Sequence, residues 1–234
     1  MLIQDARFVV LDTETTGLDP GEDRVVELSL VEVSKHGIRP MFDSLLDPKR
    51  PIPPTASAVH HITDRHVQGQ PTLAEVWPTI LDRLGDSVIV AHNAAFDRSF
   101  LPETHRPWLC SMRLARHLWP EAPKYSNQVL RYWLGLELDA GQAHSATADT
   151  LVTAHVFRSE LGEYQRNIAP LGTVEDLLAY AESPIEVQTM PFGKYKGQAM
   201  AELPESYVRW LLENVAELDP DLRWTLEKRA VTSV

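Results

Sequence analysis

Two acids close an apolar run near the start of the chain. In VVLDTETTG (residues 9–17), Asp12 and Glu14 follow the run Phe8–Leu11. Aromatic and β-branched residues in such a run predict a buried strand. Side chains alternate faces along a strand, so Asp12 and Glu14 point one way and Thr13 the other. Like charges held close together repel and raise each other's pKa. A cation between them removes that repulsion, and hard carboxylate oxygens suit Mg²⁺ or Mn²⁺. On these residues alone a second reading stays open, in which Asp12 caps a turn before Gly17.

Two further acids share one arrangement. In VIVAHNAAFDRSFL (88–101) a strand runs into a helix, with Asn93 as a candidate N-cap and Asp97 four residues on. In AHSATADTLVTAHVF (143–157) Ser145 is the candidate N-cap and Asp149 again follows four residues later. Each Asp falls in the first helical turn, where the backbone field favours its ionised form. Each alone reads more readily as a complement to a helix dipole than as a ligand, but together with Asp12 and Glu14 they shift the reading to a four-carboxylate metal set. His144 lies five residues before Asp149. Five helical residues turn through roughly 500°, so His144 belongs to the loop before the cap, from which its ring can reach over the site. An imidazole of ordinary pKa near 6.5 suits proton removal from water at neutral pH. The plainer alternative is a surface-loop histidine.

These residues need a scaffold. Residues 7–14, 24–33 and 38–46 read as three strands, the last two joined at Lys35–Gly37. A Pro-rich loop follows at 47–54. Residues 72–84 place Leu73, Val76, Trp77, Ile80, Leu81 and Leu84 on one apolar stripe of a helix, although Pro78 weighs against one unbroken helix. Residues 87–92 form a short buried strand, and helices follow near 93–101, 111–118, 126–135 and 145–161. Strands first, then strands alternating with helices, predict an α/β domain with a mixed sheet. It spans 1–162, a linker with a short helix covers 163–186, and 187–234 forms a small α+β module, a Gly-rich hairpin and two helices. Trp77 and Trp133 read as core by their spacing, and Cys110 as a core thiol.

Composition bounds the partners. The 234 residues carry a formal charge of −11, which argues against binding nucleic acid by bulk charge. It leaves room for an enzyme holding a strand end locally, because bound divalent ions reverse the local sign. One cysteine excludes an internal disulfide and makes a cysteine-built zinc site implausible. No long apolar run suggests a membrane helix, and MLIQDAR lacks the character of a signal peptide, so a cytoplasmic location is expected.

Three segments carry a resemblance: DTETTGL (12–18), HNAAFD (92–97) and HSATAD (144–149). In order and spacing they resemble the three motifs of the DEDDh 3′–5′ exonucleases, the DnaQ-like superfamily. A tyrosine branch has Tyr four residues before the last Asp; Ser145 stands there, which favours the histidine branch. Similarity to DNA-directed members continues through AVHHIT (58–63), SMRLARHLWP (111–120), KYSN (124–127) and FGKYKG (192–197). The resemblance implies an RNase H-like fold with a five-stranded mixed sheet. It implies that Asp12, Glu14, Asp97 and Asp149 hold two Mg²⁺ or Mn²⁺ ions, with His144 as general base. It implies release of nucleoside 5′-monophosphates from a DNA 3′ end, single-stranded or frayed, in DNA repair. Substrate contacts carry over to Thr13, Thr15, Leu18 (an apolar wedge at the last base), His60, Ile62 and Asn93; Phe96 reads as core. RNA trimming, polymerase proofreading and a non-catalytic binding module are the competing readings, and oligomeric state is open. The Lys194–Tyr195–Lys196 stretch reads either as a strand-gripping hairpin or as cover for its own small core.

Overall fold

The computed structural model describes residues 1–138 and 146–232, so His144 and Ser145 lie outside the described residues. Five strands form one mixed sheet: β1 (Phe8–Thr15), β2 (Val25–Ser34), β3 (Gly37–Leu45), β4 (Val88–Ala91) and β5 (Trp108–Cys110). Their spatial order is β3-β2-β1-β4-β5. β1 pairs antiparallel with β2 and parallel with β4, and β4 is parallel to β5. The central strands are apolar on both faces because helices cover both. On one face Phe8, Val10, Val31, Val33, Val88 and Val90 meet α5 (Ser111–Leu118), α7 (Ala146–Asn167) and α8 (Val174–Glu182). On the other, Val9, Leu11, Leu28, Leu30, Ile89 and Ala91 meet α3 (Leu73–Leu84) and α4 (Ala94–Phe100).

The sheet has the expected five-stranded mixed form, flanked by helices. β5 escaped the residue-by-residue reading because three residues are too few to show alternation. Two short helices, α1 (Pro54–His60) and α2 (Asp64–Val67), follow the Pro-rich loop, and Pro54 starts the first of them, where a missing N–H costs nothing. α3 runs unbroken through Pro78: the Thr72–Glu75 capping box fixes its start and buried Trp77, Ile80 and Leu84 hold its inner face. α6 (Asn127–Trp133) carries Trp133, which stays more than one-third exposed, its ring edge-on to Trp119 at 5.8 Å. Cys110 is half-buried at the edge of the core.

The chain divides into two compact units, Met1–Ala181 and Glu182–Val234. The expected linker at 163–186 therefore moves: its first part belongs to the larger unit, because Tyr164, Val174, Leu177 and Ala181 are buried in that unit's core. The smaller unit packs Met190, Met200, Leu203, Val208, Leu211, Leu218, Leu222 and Leu226. These come from α9 (Glu205–Asn214), α10 (Pro220–Thr232) and the chain before and between them. The expected hairpin is short: Thr189 and Ala199 form one antiparallel bridge, closed by Met190 N–H to the Gln198 carbonyl at 2.8 Å. Among the described residues, no helix is long and apolar enough to cross a membrane.

Candidate active site

The carboxyl ends of β1 and β4, adjacent parallel strands, open onto one place. Ligands in such sheets bind beyond those ends. Asp12 and Glu14 close β1, and Asp97 sits in the first turn of the helix after β4. α7 brings Asp149 to the same place: the charges of Asp97, Glu14, Asp149 and Glu27 all bear on Asp12. Burial comes first among the causes that push Asp12 well above the usual carboxylate range, and those four charges add to it. Glu14 rises to about 7 through burial, then Glu27, Asp149 and Asp97. Asp97 also rises to about 7 by burial, against the lowering effect of Thr13.

Two of the ligand candidates, Asp97 and Asp149, are held by side-chain hydrogen bonds. Thr13 donates both its backbone N–H, at 3.0 Å, and its hydroxyl, at 2.8 Å, to Asp97 Oδ1. Its donors were expected to face substrate; both go to Asp97, and Thr13 also lines the adjoining cavity. Gln128 Nε2 donates to Asp149 Oδ1 at 3.3 Å, and Arg131 in turn donates to Gln128 Oε1 at 3.4 Å. Glu27 lies directly across from Glu14 in the β1–β2 ladder and is buried. Its Oε2 accepts the Ala146 N–H, 2.8 Å away, at the start of α7. On β3, Asp43 accepts the Thr147 hydroxyl. The N-terminus of α7 is therefore latched to two strands, and Asp149 moves with it. Glu27 was legible in principle: it is a charge inside the apolar run VVELSLVEV with no cation beside it in sequence.

The donor set suits a divalent cation. Asp12 and Glu14 have no hydrogen-bond donor and no cationic partner among the described residues, so their repulsion with Asp97 and Asp149 is uncompensated. All are hard oxygen ligands. Among the described residues no group of three or more His, Cys, Asp or Glu is drawn together as a finished metal cage.

Beside the acids is a cavity of about 350 Å³ lined by Thr13, Thr15, Leu18, Thr55, His60 and Phe96, among others. Leu18 is 83% exposed at its mouth. Thr15 spends its hydroxyl on the Gly17 carbonyl, at 2.6 Å. His60 Nδ1 accepts the Ile62 N–H at 3.0 Å, and burial lowers the ring's pKa. Ile62 itself lies away from the cavity, in a cluster with Val26, Ile52 and Val67. Its part is to fix His60. Asn93 is exposed in a left-handed conformation with no side-chain cap and does not line the cavity. Phe96, expected in the core, lines it.

The RNase_T family model, described as Exonuclease, matches residues 9–157. The chain belongs to this exonuclease family. It is a 3′–5′ exonuclease of the DnaQ-like kind, and such exonucleases use divalent metal ions. It is 36% identical over 224 residues to Exodeoxyribonuclease 10 of Escherichia coli (strain K12), covering 93% of this chain and 96% of that protein. It is 33% identical over 168 residues to the DNA polymerase III subunit epsilon of Aquifex aeolicus (strain VF5), covering 68% of this exonuclease and 82% of that one. Among solved structures, Exonuclease X in complex with 5′ overhanging duplex DNA matches at TM-score 0.65 and 35% identity, covering 74% of this chain and 99% of that one. The zinc-bound E. coli ExoI–ssDNA complex, at 19% identity and TM-score 0.58 over 72% of this chain and 42% of that one, shares the fold. Residues 183–215 match a second family model, named for a proposed quorum-sensing-regulated virulence factor.

Proposed function

We propose that this exonuclease is a metal-dependent 3′–5′ exodeoxyribonuclease that releases nucleoside 5′-monophosphates from DNA 3′ ends, a reaction DNA repair requires. The observation that carries the reading is the group of carboxylates at the ends of β1 and β4, with Asp97 buried and Asp12 and Glu14 half-buried and without a donor or cation among the described residues. Bound there, two Mg²⁺ or Mn²⁺ ions would acidify the attacking water and neutralise charge on the scissile phosphate and the leaving 3′-oxygen. Asp12, Glu14, Asp97 and Asp149 would hold them. Thr13 and Gln128 orient two of these ligands, Asp97 and Asp149, and Glu27 anchors the helix that carries Asp149. His144, two residues before α7 begins, takes the proton from water. Leu18, His60 and Phe96 receive the terminal nucleotide in the adjoining cavity. DNA as substrate is supported by the similarity to Exodeoxyribonuclease 10 and to the DNA complex of Exonuclease X.

Matched DNA and RNA oligonucleotides, labelled at the 5′ or the 3′ end, test this with Mg²⁺, Mn²⁺ or EDTA. The expected result is a metal-dependent ladder shortening DNA from its 3′ end, absent with Asp12→Ala. Faster trimming of RNA would overturn the choice of DNA. Wild-type cleavage by Asp12→Ala would overturn the metal assignment.

A further inference from the structure

The smaller unit carries a face that the catalytic reading leaves unused. Its turn at 191–197 presents Phe192, Lys194, Tyr195 and Lys196. Gly193 has φ +72°, and a Cβ there would come within 2.8 Å of the Tyr207 hydroxyl, so the turn is built closely against α9. Lys194 Nζ lies 5.1 Å from the centre of the Tyr195 ring, which packs 4.6 Å from Tyr207. Tyr207 and Trp210, three residues apart and so on one side of α9, have rings within 13° of parallel. Trp210 is 52% exposed and Phe192 40%. An exposed indole stacked on a phenol ring needs an occupant or a reason.

Charge separates the occupants. Half of this unit's six lysines and arginines are committed: Lys228 pairs with Glu186 at 2.7 Å, Arg229 donates to the Leu203 carbonyl, and Arg223 donates to the Val215 and Ala216 carbonyls. Lys194, Lys196 and Arg209 are exposed and have no carboxylate partner among the described residues. In a chain of net charge −11, Lys194 lies over the Tyr195 ring, Lys196 follows that ring in the turn, and Arg209 precedes Trp210 on α9. Rings for stacking, with cations spaced between them, are what a flexible polyanion carrying flat bases recognises; a hydrophobic protein partner would not call for three unpaired cations.

We propose that this face binds a single-stranded stretch of the DNA being degraded, with bases stacked on Trp210 and Phe192 and phosphates held by Lys194, Lys196 and Arg209. The proposal rests on the reading of the chain as a DNA exonuclease and adds a second grip on the same strand. A second grip makes rebinding intramolecular and raises overall affinity without changing the chemistry.

The test uses the full chain in EDTA, with a fluorescein-labelled oligothymidylate of about twenty nucleotides read by anisotropy. Trp210→Ala is expected to weaken binding by about 5- to 100-fold, the range of one lost base-stacking contact. Lys194→Ala combined with Lys196→Ala should lower the slope of log affinity against log salt by up to about 1.4, two single-strand phosphate contacts. Lys35→Ala, an exposed lysine of the larger unit, serves as the control. Circular dichroism and Tm establish that each variant is folded. Wild-type affinity and salt slope in both test variants would overturn the proposal. Failure of the catalytic reading shows separately, as absence of metal-dependent trimming by wild type, and leaves the anisotropy comparison intact.

Discussion

At the scale of the residue, Asp12 shows how the site trades stability for chemistry. Its carboxyl is held well above the usual range by burial and by neighbouring negative charge. A carboxyl whose folded pKa exceeds its unfolded value favours folding at low pH, and that contribution is lost as pH rises through the folded value. Glu14 and Asp97, both near 7, behave alike, so the metal-free protein loses stability between about pH 4 and 7. Asp12→Asn removes part of this repulsion. In EDTA at pH 8 it should have a higher Tm than wild type, with the difference vanishing near pH 4. Mg²⁺ should raise the wild-type Tm and leave the variant's nearly fixed, because only wild type keeps the full ligand set. A variant no more stable than wild type at pH 8 would mean that the acids do not repel as argued. Thr13→Val deletes a hydroxyl that stabilises the Asp97 carboxylate. Asp97 should then hold its proton to higher pH, and the acidic limb of the pH–rate profile should move upward; an unmoved limb would make that bond incidental. His144→Ala should lower kcat by about 10²–10⁴ while leaving the Mg²⁺-induced rise in Tm intact, as expected of a general base that is no ligand. Unchanged kcat would remove it from the mechanism.

At the scale of the element, the site depends on where α7 begins. Glu27 and Asp43, from neighbouring strands, accept the first donors of that helix and so set the position of Asp149. Glu27 therefore does two opposed things: it anchors α7 and it adds charge beside Glu14. The two separate by substitution. Glu27→Gln keeps an acceptor for the Ala146 N–H and removes the charge, so the metal-free protein should gain stability. Glu27→Ala also loses the hydrogen bond, at a cost of about 1 kcal/mol relative to Gln, and should reduce trimming by misplacing Asp149. Equal stability and activity of the two variants, measured by urea unfolding and oligonucleotide cleavage, would reduce Glu27 to a source of charge. The sheet and most helices could be read in advance because apolar periodicity marks them, as in β1 and α3. The acids Asp12, Glu14, Asp97 and Asp149 were legible because motif spacing follows from strand ends and first helical turns. Glu27 stood out as a charge in an apolar run, but its role and that of Gln128 were not legible, since they arise from a cross-strand register and a helix–helix contact that no local pattern encodes. β5 and α2 were too short to announce themselves, and Thr13 was assigned to substrate because its bond to Asp97 spans 84 residues.

At the scale of the whole molecule, the division at Ala181 separates chemistry from the proposed second grip. Every described member of the carboxylate site, and the cavity beside it, belongs to the unit ending there. That unit closes its own cores on both faces of the sheet, and the smaller unit closes another. A fragment of residues 1–181 should therefore fold cooperatively and keep its Mg²⁺-dependent rise in Tm. If the smaller unit only holds the strand, it supplies binding common to ground and transition states, and its loss raises KM while leaving kcat nearly unchanged. Avidity of this kind accounts for changes of about 10²–10⁴-fold in apparent affinity, so the rise in KM on a long oligonucleotide should not exceed that range. It should exceed the rise on a very short one, which has less strand to be gripped twice. Steady-state trimming of long and short substrates by the fragment and the full chain measures both parameters. A collapse of kcat in a fragment that is folded and still stabilised by Mg²⁺ would place the smaller unit at the reacting phosphate, not along the strand.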